Sequence, residues 1–528
     1  MLTRRTLTLL GLLALSPGRG LAAGGAAPAL SAPEPMDLDR LAALARDLRD
    51  KPHVPRREVP GAAPVLDELT YGPMMEIEYP AANALWPDGP SPVTMFHLSK
   101  LHRLPVRVYA LEDGKAREVV YDPALFRMPP GNPALGMPWG AGFAGVRYQD
   151  GPGGDARFGT DWVAFLGASY FRMAGDDHQY GVSARGVAVD TAPMPGGREE
   201  FPDFTRFYVS PFEGGSATVL ALLEGPGLTG AYRFVLRREP HAVTEVECRL
   251  FLRRDIARLG IAPGTSMMWY SEGTSRWLAT EWRPEIHDSD GLLMHAGTGE
   301  VLWRPLNNPP RVTVSAFSDV RPRGFGLMQR DRSPASYVDD GFMEKRPNLW
   351  VEPRGDWGAG SVQLVEIPAH QEYDDNIVAM WVPAAPARAG TDLAFSYVLR
   401  WTVDEPVDGL ARCVATRASK AAWLMDADRK PGRPSLFRTF VVEFEGKALA
   451  GKDPERAQAV LDLSRGVAGE VAVAWGTYRE ASPWRVSFKV YAEGPEPVEM
   501  RLFVRADGKP LTETWVYQLH QEQPGTLL

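Results

Sequence analysis

Apolar residues along this chain fall mostly in short runs that alternate with polar ones, the period of a half-buried strand. The exception comes early. Leu38, Leu41, Leu44, Ala45 and Leu48 recur at helical spacing and predict one short amphipathic helix, ended by Lys51 and Pro52. From about Thr70 the pattern turns to strands, among them 93–97, 106–111, 162–166, 217–223, 232–237, 243–252, 311–317 and 393–402. Turn pairs such as Asp113-Gly114 and Asp150-Gly151 separate several of them. A stretch from 70 to 402 without a long helix predicts a large antiparallel β-sandwich or barrel-like domain, and the lack of a fixed-period repeat argues against a propeller.

Residues 403–433 read differently: charged, with a short helix near 419–426 and then Lys430-Pro431-Gly432-Arg433-Pro434, the signature of a linker. Clean two-residue alternation follows. Trp484, Val486, Phe488 and Val490 share one strand face, and Val498, Met500, Leu502 and Val504 another, before the turn Asp507-Gly508. With 437–444, 471–475 and 512–519 these predict an immunoglobulin-like sandwich. The expected division is a signal at 1–24, a large β-sandwich at 36–402, a linker at 403–433 and an immunoglobulin-like module at 434–528.

The N-terminus adds a destination. Arg4 and Arg5 precede an apolar run at 7–15, and small residues follow around Ala22 and Ala23, as in a cleaved export signal of the twin-arginine route. The run is too short to span a bilayer. Removing Arg4, Arg5 and Arg19 from 58 basic residues leaves 55 against 66 acidic ones, a net charge of about −11. That surface disfavours nucleic acid and leaves a neutral substrate compatible. Two cysteines, Cys248 and Cys413, supply neither a disulfide framework nor a thiolate metal site.

Two acidic clusters carry the candidate chemistry. In VEIPAHQEYDDNIVAMWVP, at 365–383, an apolar alternation breaks into Glu372, Asp374 and Asp375 and resumes as Ile377, Val378, Met380 and Trp381. Carboxylates crowded between strands repel one another and are costly to desolvate, which makes the segment a functional candidate beside the plainer reading of a solvated loop. The second cluster, RPEIHDSDG at 283–291, places Glu285, His287, Asp288 and Asp290 within nine residues. Carboxylate pairs from distant segments are the working parts of glycoside hydrolases. A solvated Asp-Ser-Asp-Gly turn is the alternative, and His287, Asp288 and Asp290 are metal-ligand types without the register of a calcium loop.

Of 15 Trp, Trp269, Trp277, Trp282, Trp303, Trp350, Trp357 and Trp381 lie between or beside the clusters. Aromatic faces stack on pyranose rings, and Arg283, Arg321, Arg323 and Arg346 can bond hydroxyls, although core packing accounts for any single Trp. Walker A, HExxH, dinucleotide and GxSxG patterns are missing from the sequence. The residues alone describe an exported β protein, with carbohydrate chemistry the favoured reading.

Longer motifs sharpen this. FLGASYFR (165–172), YGVSARGVAVDTA (180–192), GREEFP (197–202), RPEIHDSDGL (283–292), GFGLMQRDR (324–332), EKRPNLWVEP (344–353) and DNIVAMW (375–381) together resemble the OpgG/OpgD (MdoG/MdoD) periplasmic glucan biosynthesis family. The twin-arginine signal makes the chain more similar to the OpgD branch. The resemblance implies an all-β fold, a galactose-mutarotase-like supersandwich followed by an immunoglobulin-like sandwich. It implies a periplasmic role on β-1,2-linked glucan, with inverting endo-β-1,2-glucanase activity and neither cofactor nor metal. Asp375 is then the general acid and Asp288 the second functional aspartate, with Asp290 as the alternative. Arg283, Arg346, Trp350, Glu372, Tyr373 and Trp381 are expected to line the substrate.

One departure bears on the reaction. A tyrosine that relays a proton often precedes the Glu-Lys-Arg-Pro motif in the family, and here that position is Met343, whose thioether carries no proton. Transglycosylation that cyclises or branches the glucan is therefore an alternative, with Tyr337 or Tyr373 as substitute relays. A non-catalytic glucan-binding scaffold, partnered with the inner-membrane glucan synthase machinery, is a third reading.

Overall fold

The computed structural model describes residues 27–151, 161–192, 198–238, 240–273, 282–419, 435–477, 483–494 and 496–520. The export signal, Trp277, the Pro-Gly stretch at 430–434 and all but the first residue of the helix expected at 419–426 lie outside them. The fold is all-β, and its strands follow the two-residue alternation. In the strand Ala242–Leu252, Ala242, Thr244, Val246, Cys248 and Leu250 are buried while Glu245 faces solvent.

Two large sheets face one another. The first runs antiparallel through Asp203–Val209, Ala217–Glu224, Leu228–Arg237, Ala242–Leu252, Asp392–Thr402, Asn348–Arg354, Gly324–Met328, Gly291–His295 and Val301–Pro305. The second runs from Thr313–Val320 through Ala359–Glu366, Ile377–Pro383, Leu259–Ser266, Ser183–Arg185 and Tyr170–Met173 to Asp161–Leu166, Gly145–Gln149 and Val93–Phe96. Aromatic rings fill the space between them. Phe171 meets Phe234 edge-on at 5.0 Å and Trp401 at 6.0 Å, geometry that suits the ring quadrupoles.

The expected helix is present as Leu38–Arg49, capped by the Asp37 carboxylate on the Arg40 N–H. It buries Leu41, Ala42 and Ala45 on the outer face of the first sheet, beside Leu220, Leu222 and Phe251. Among the described residues no helix is long and apolar enough to cross a membrane.

The C-terminal strands do not stand apart. Leu302 pairs with Thr514 and Trp303 with Trp515 in parallel, so Thr514–Leu519, Val498–Ala506 and Gln458–Leu463 extend the first sheet. A second, smaller sheet holds Arg412–Ser419, Ser435–Glu445, Trp484–Glu493, Val467–Ala468 and Ala472–Trp475. Arg412–Ser419 lies inside the stretch read as a linker. Its buried positions, Cys413, Ala415 and Thr416, are small and its neighbours Arg412 and Arg417 charged, so the apolar signal of a strand is muted. Both cysteines are buried and unpaired.

A buried cation fastens the two parts. Arg330 lies 3.5 Å from the centre of the Trp303 ring and donates to Glu405 at 2.9 Å and to Glu513 at 2.6 Å. A guanidinium held by two carboxylates and a ring face has its desolvation offset by directional partners, whereas removal of one partner leaves buried charge unpaired.

Candidate active site

Glu366 and Ile377 are the last paired residues where two strands of the second sheet part. Buried Asn376 replaces the missing ladder. Its amide donates to the Met268 and Ile367 carbonyls at 2.9 Å each and accepts from the Met268 N–H at 2.8 Å. This clamp fixes the residue before it, Asp375. The Asp375 Oδ2 is shut off from solvent and has no hydrogen-bond partner among the described residues. Burial pushes the carboxyl up to about 7; Arg172 and Arg185 draw it back and Asp374 adds to the rise.

Arg172 and Arg185 reach this place by strand alternation. Phe171 and Met173 point into the core, so Arg172 points to the opposite face of the second sheet. Arg185, opposite Tyr170 in the ladder, is buried between the Tyr170 and Phe201 rings at 5.3 Å from each, and bonds the Tyr170 hydroxyl at 3.2 Å.

The second acidic cluster splits. Ile286–His287 forms a short strand against Met268–Tyr270, and the pleat sends Glu285 and His287 one way and Asp288 the other. Asp288 is buried and accepts from Nη1 of buried Arg346. Burial holds Arg346 down at about 10, against Glu372, with Arg172 and Arg283 lowering it further. Arg172 thus acts on both halves of the site, through Arg346 and through Asp375. Glu372, in turn, pairs with Arg283 at 2.8 Å, and Arg283 also meets Asp339 at 3.4 Å. Asp288, Arg346, Glu372, Arg283 and Asp375 therefore gather from three separate segments. Glu372, expected to line the substrate, is held by Arg283.

Asp290 belongs to the inward group. Its Oδ2 accepts from the Asp331 N–H at 3.0 Å and from the Arg330 N–H, and its Oδ1 lies 3.5 Å from His287. Burial alone would push His287 down, but Asp290 and a 3.0 Å hydrogen bond to Glu285 lift it to about 9. Burial, with Asp290 and Glu285, pushes Asp331 up to about 9; burial and Glu285 push Glu272 up to about 7. Glu285, His287, Asp290 and Asp331 present ligand atoms within 4.8 Å of one another. Metal-type geometry therefore falls on this set and leaves out Asp288, which sequence spacing grouped with His287 and Asp290.

The aromatic expectations divide. Trp350 and Trp381, expected to line substrate, are core residues. Trp381 is fully buried beside Trp357, and Trp350 packs over Gly324 in the core shared with the C-terminal strands. Both lie within regular strands that are covered on both faces, so neither ring reaches solvent. Tyr373 is 53% exposed, and two further rings share its setting: Trp282, 67% exposed beside Arg283, and Phe342, 37% exposed three residues after Asp339. Arg323 contacts His295 rather than either cluster. Met343 is buried against Tyr337, whose hydroxyl is occupied by Gln329 at 2.6 Å and by the Asp331 carbonyl at 3.1 Å. Of the two substitute relays, Tyr373 alone is open to solvent.

Arg172, Arg185, Asn376 and Asp339 were not singled out by sequence. The signal available was a charge inside an apolar strand, as in Ser183–Arg185, where every residue is buried; such a charge needs a partner.

The profile of a family described as "Periplasmic glucan biosynthesis protein, MdoG" matches residues 36–519. The chain is 50% identical over 511 residues to "Glucans biosynthesis protein D 2" of Ralstonia nicotianae, covering 93% of this chain and 91% of that one. It is 43% identical over 504 residues to "Glucans biosynthesis protein D" of Xanthomonas oryzae pv. oryzae, covering 93% and 91%. With the protein of that name from Xanthomonas campestris pv. campestris it shares 43% over 527 residues, covering 97% and 95%.

Proposed function

We propose, for a chain that belongs to the MdoG family of periplasmic glucan biosynthesis proteins, that it acts on the β-1,2-glucan backbone as an inverting endo-glucanase after export by the twin-arginine route. The observation that carries this reading is the Asp375 carboxyl: its Oδ2 is shut off from solvent, it has no hydrogen-bond partner there among the described residues, and it is raised to about 7. A general acid must hold its proton near the working pH and be free to release it to a leaving group. Asp375 protonates the departing glycosidic oxygen. The acceptor oxygen attacks the anomeric carbon from the opposite face, and its proton leaves towards Asp288, whose carboxylate accepts from Arg346.

Arg283 joins the loops that carry Trp282, Phe342 and Tyr373, and exposed rings beside a site of fixed charges suit the alternating apolar and hydroxyl-bearing faces of a neutral sugar chain. The reading needs no cofactor. Buried Met343 supports the second reading, transglycosylation, in which a glucan hydroxyl replaces water. Replacement of Asp375 by Asn tests the acid. Turnover of linear β-1,2-glucan falls by about 10²–10⁴-fold in a folded variant, and undiminished turnover removes Asp375 from the mechanism.

A further inference from the structure

Away from the carboxylates, a cavity of about 300 Å³ opens between the loop around Leu101–Leu104, the turn 166–170 and the start of Asp203–Val209. This is the lower end of the range for small-molecule sites, roughly 300–1,000 Å³. Its walls are mostly rings and aliphatic chains: Phe165, Phe204, Phe207, Leu104, Val106 and, at the mouth, Leu101, which is 44% exposed. Charges at the rim are already matched, Arg56 with Asp203 at 3.3 Å and Arg103 with Glu58 at 2.6 Å. The rim therefore offers nothing to a charged ligand.

One polar group in the wall lacks a partner. His102 is only 8% exposed, and its Nε2 has no hydrogen-bond partner among the described residues. Burial pushes the imidazole down to about 4, so it is neutral at ordinary pH. Gly167, at φ +76°, passes close enough that a Cβ there would stand 3.6 Å from Nε2. An unpaired nitrogen buried in an apolar wall is a standing cost that a ligand hydrogen bond removes.

We propose that this cavity is a second ligand site, distinct from the glucan site, for a small uncharged molecule with an apolar body and one hydrogen-bonding group directed at His102. Among the described residues, no residue of its lining hydrogen-bonds Asp375 or Asp288. Tyr170 and Phe201 line it and also sandwich Arg185, so the two sites share a wall.

Indole, with an apolar bicycle and a single N–H, is the probe, and calorimetric titration of the full mature chain is the measurement. Wild-type protein binds indole saturably, and 1-methylindole, which lacks the donor, binds about fivefold more weakly. Leu101→Trp, which narrows the mouth, and His102→Phe both weaken indole binding, and the β-1,2-linked glucose disaccharide does not displace it. No saturable binding of indole, binding unchanged in both variants, equal binding of 1-methylindole, or displacement by the disaccharide would each overturn the proposal. None of these readings depends on glucan turnover, so failure of the proposed activity leaves the test intact.

Discussion

The Arg283 guanidinium pairs with the Glu372 carboxylate at 2.8 Å, and this contact joins the two acidic clusters that lie some ninety residues apart in the chain. The side chains are 12% and 22% exposed, so the pair is only partly screened by water. With Asp339 meeting the same Nη1, Arg283 holds three loops around the proposed glucan path. Arg283→Ala is expected to lower kcat/KM on β-1,2-glucan by about 10²-fold, because a small misplacement of reacting groups is costly in rate, and to lower Tm as well, because the nearly buried Asp339 carboxylate loses this partner. Steady-state kinetics with a melting curve of the same sample checks this.

The three exposed rings lead to a different kinetic signature. Trp282→Ala and Tyr373→Ala remove stacking area rather than a charge, so KM is expected to rise by about two- to tenfold for each with kcat little changed. A fall in kcat at constant KM would place these rings outside substrate binding.

Stability should depend on pH with a definite sign. Asp375 and Glu272 at about 7, and Asp331 at about 9, hold protons that unfolded carboxyls release above about pH 4, so the folded state loses stability as pH rises from there towards those values. His287, raised to about 9, contributes stability that is full below its unfolded value of about 6.5 and is lost as pH rises through 9. Both kinds of group act in the same direction, and Tm is expected to fall between about pH 5 and pH 9. Asp375→Asn removes one contributor, so its Tm exceeds that of the wild type near pH 8 and the gap closes towards pH 4. A gap independent of pH would contradict the burial of a titrating carboxyl at 375.

The fold was legible where strands alternate, as in Ala242–Leu252 and Trp484–Glu493, and the helix Leu38–Arg49 because five apolar residues share one face. Arg412–Ser419 escaped notice because its buried side chains are small. Merging of the C-terminal strands into the first sheet rests on the parallel pair Trp303 and Trp515, a contact between distant segments that no local pattern announces. At the site, crowding of acids pointed to both clusters but not to their partition. Glu366, in the same stretch as Asp375, is a structural acid, fully buried against Arg304 at 3.0 Å and the Asn307 N–H at 2.6 Å. The tryptophans misled because frequency near a site says nothing about which strand face a ring occupies.

The most direct measurement is the mass and anomeric configuration of the products formed from purified linear β-1,2-glucan, followed by NMR from the first minutes of reaction. Single displacement by Asp375 and Asp288 predicts shorter linear chains whose new reducing ends appear first as the α-anomer. New ends that appear first as the β-anomer, or no product from well-folded protein, would contradict the account.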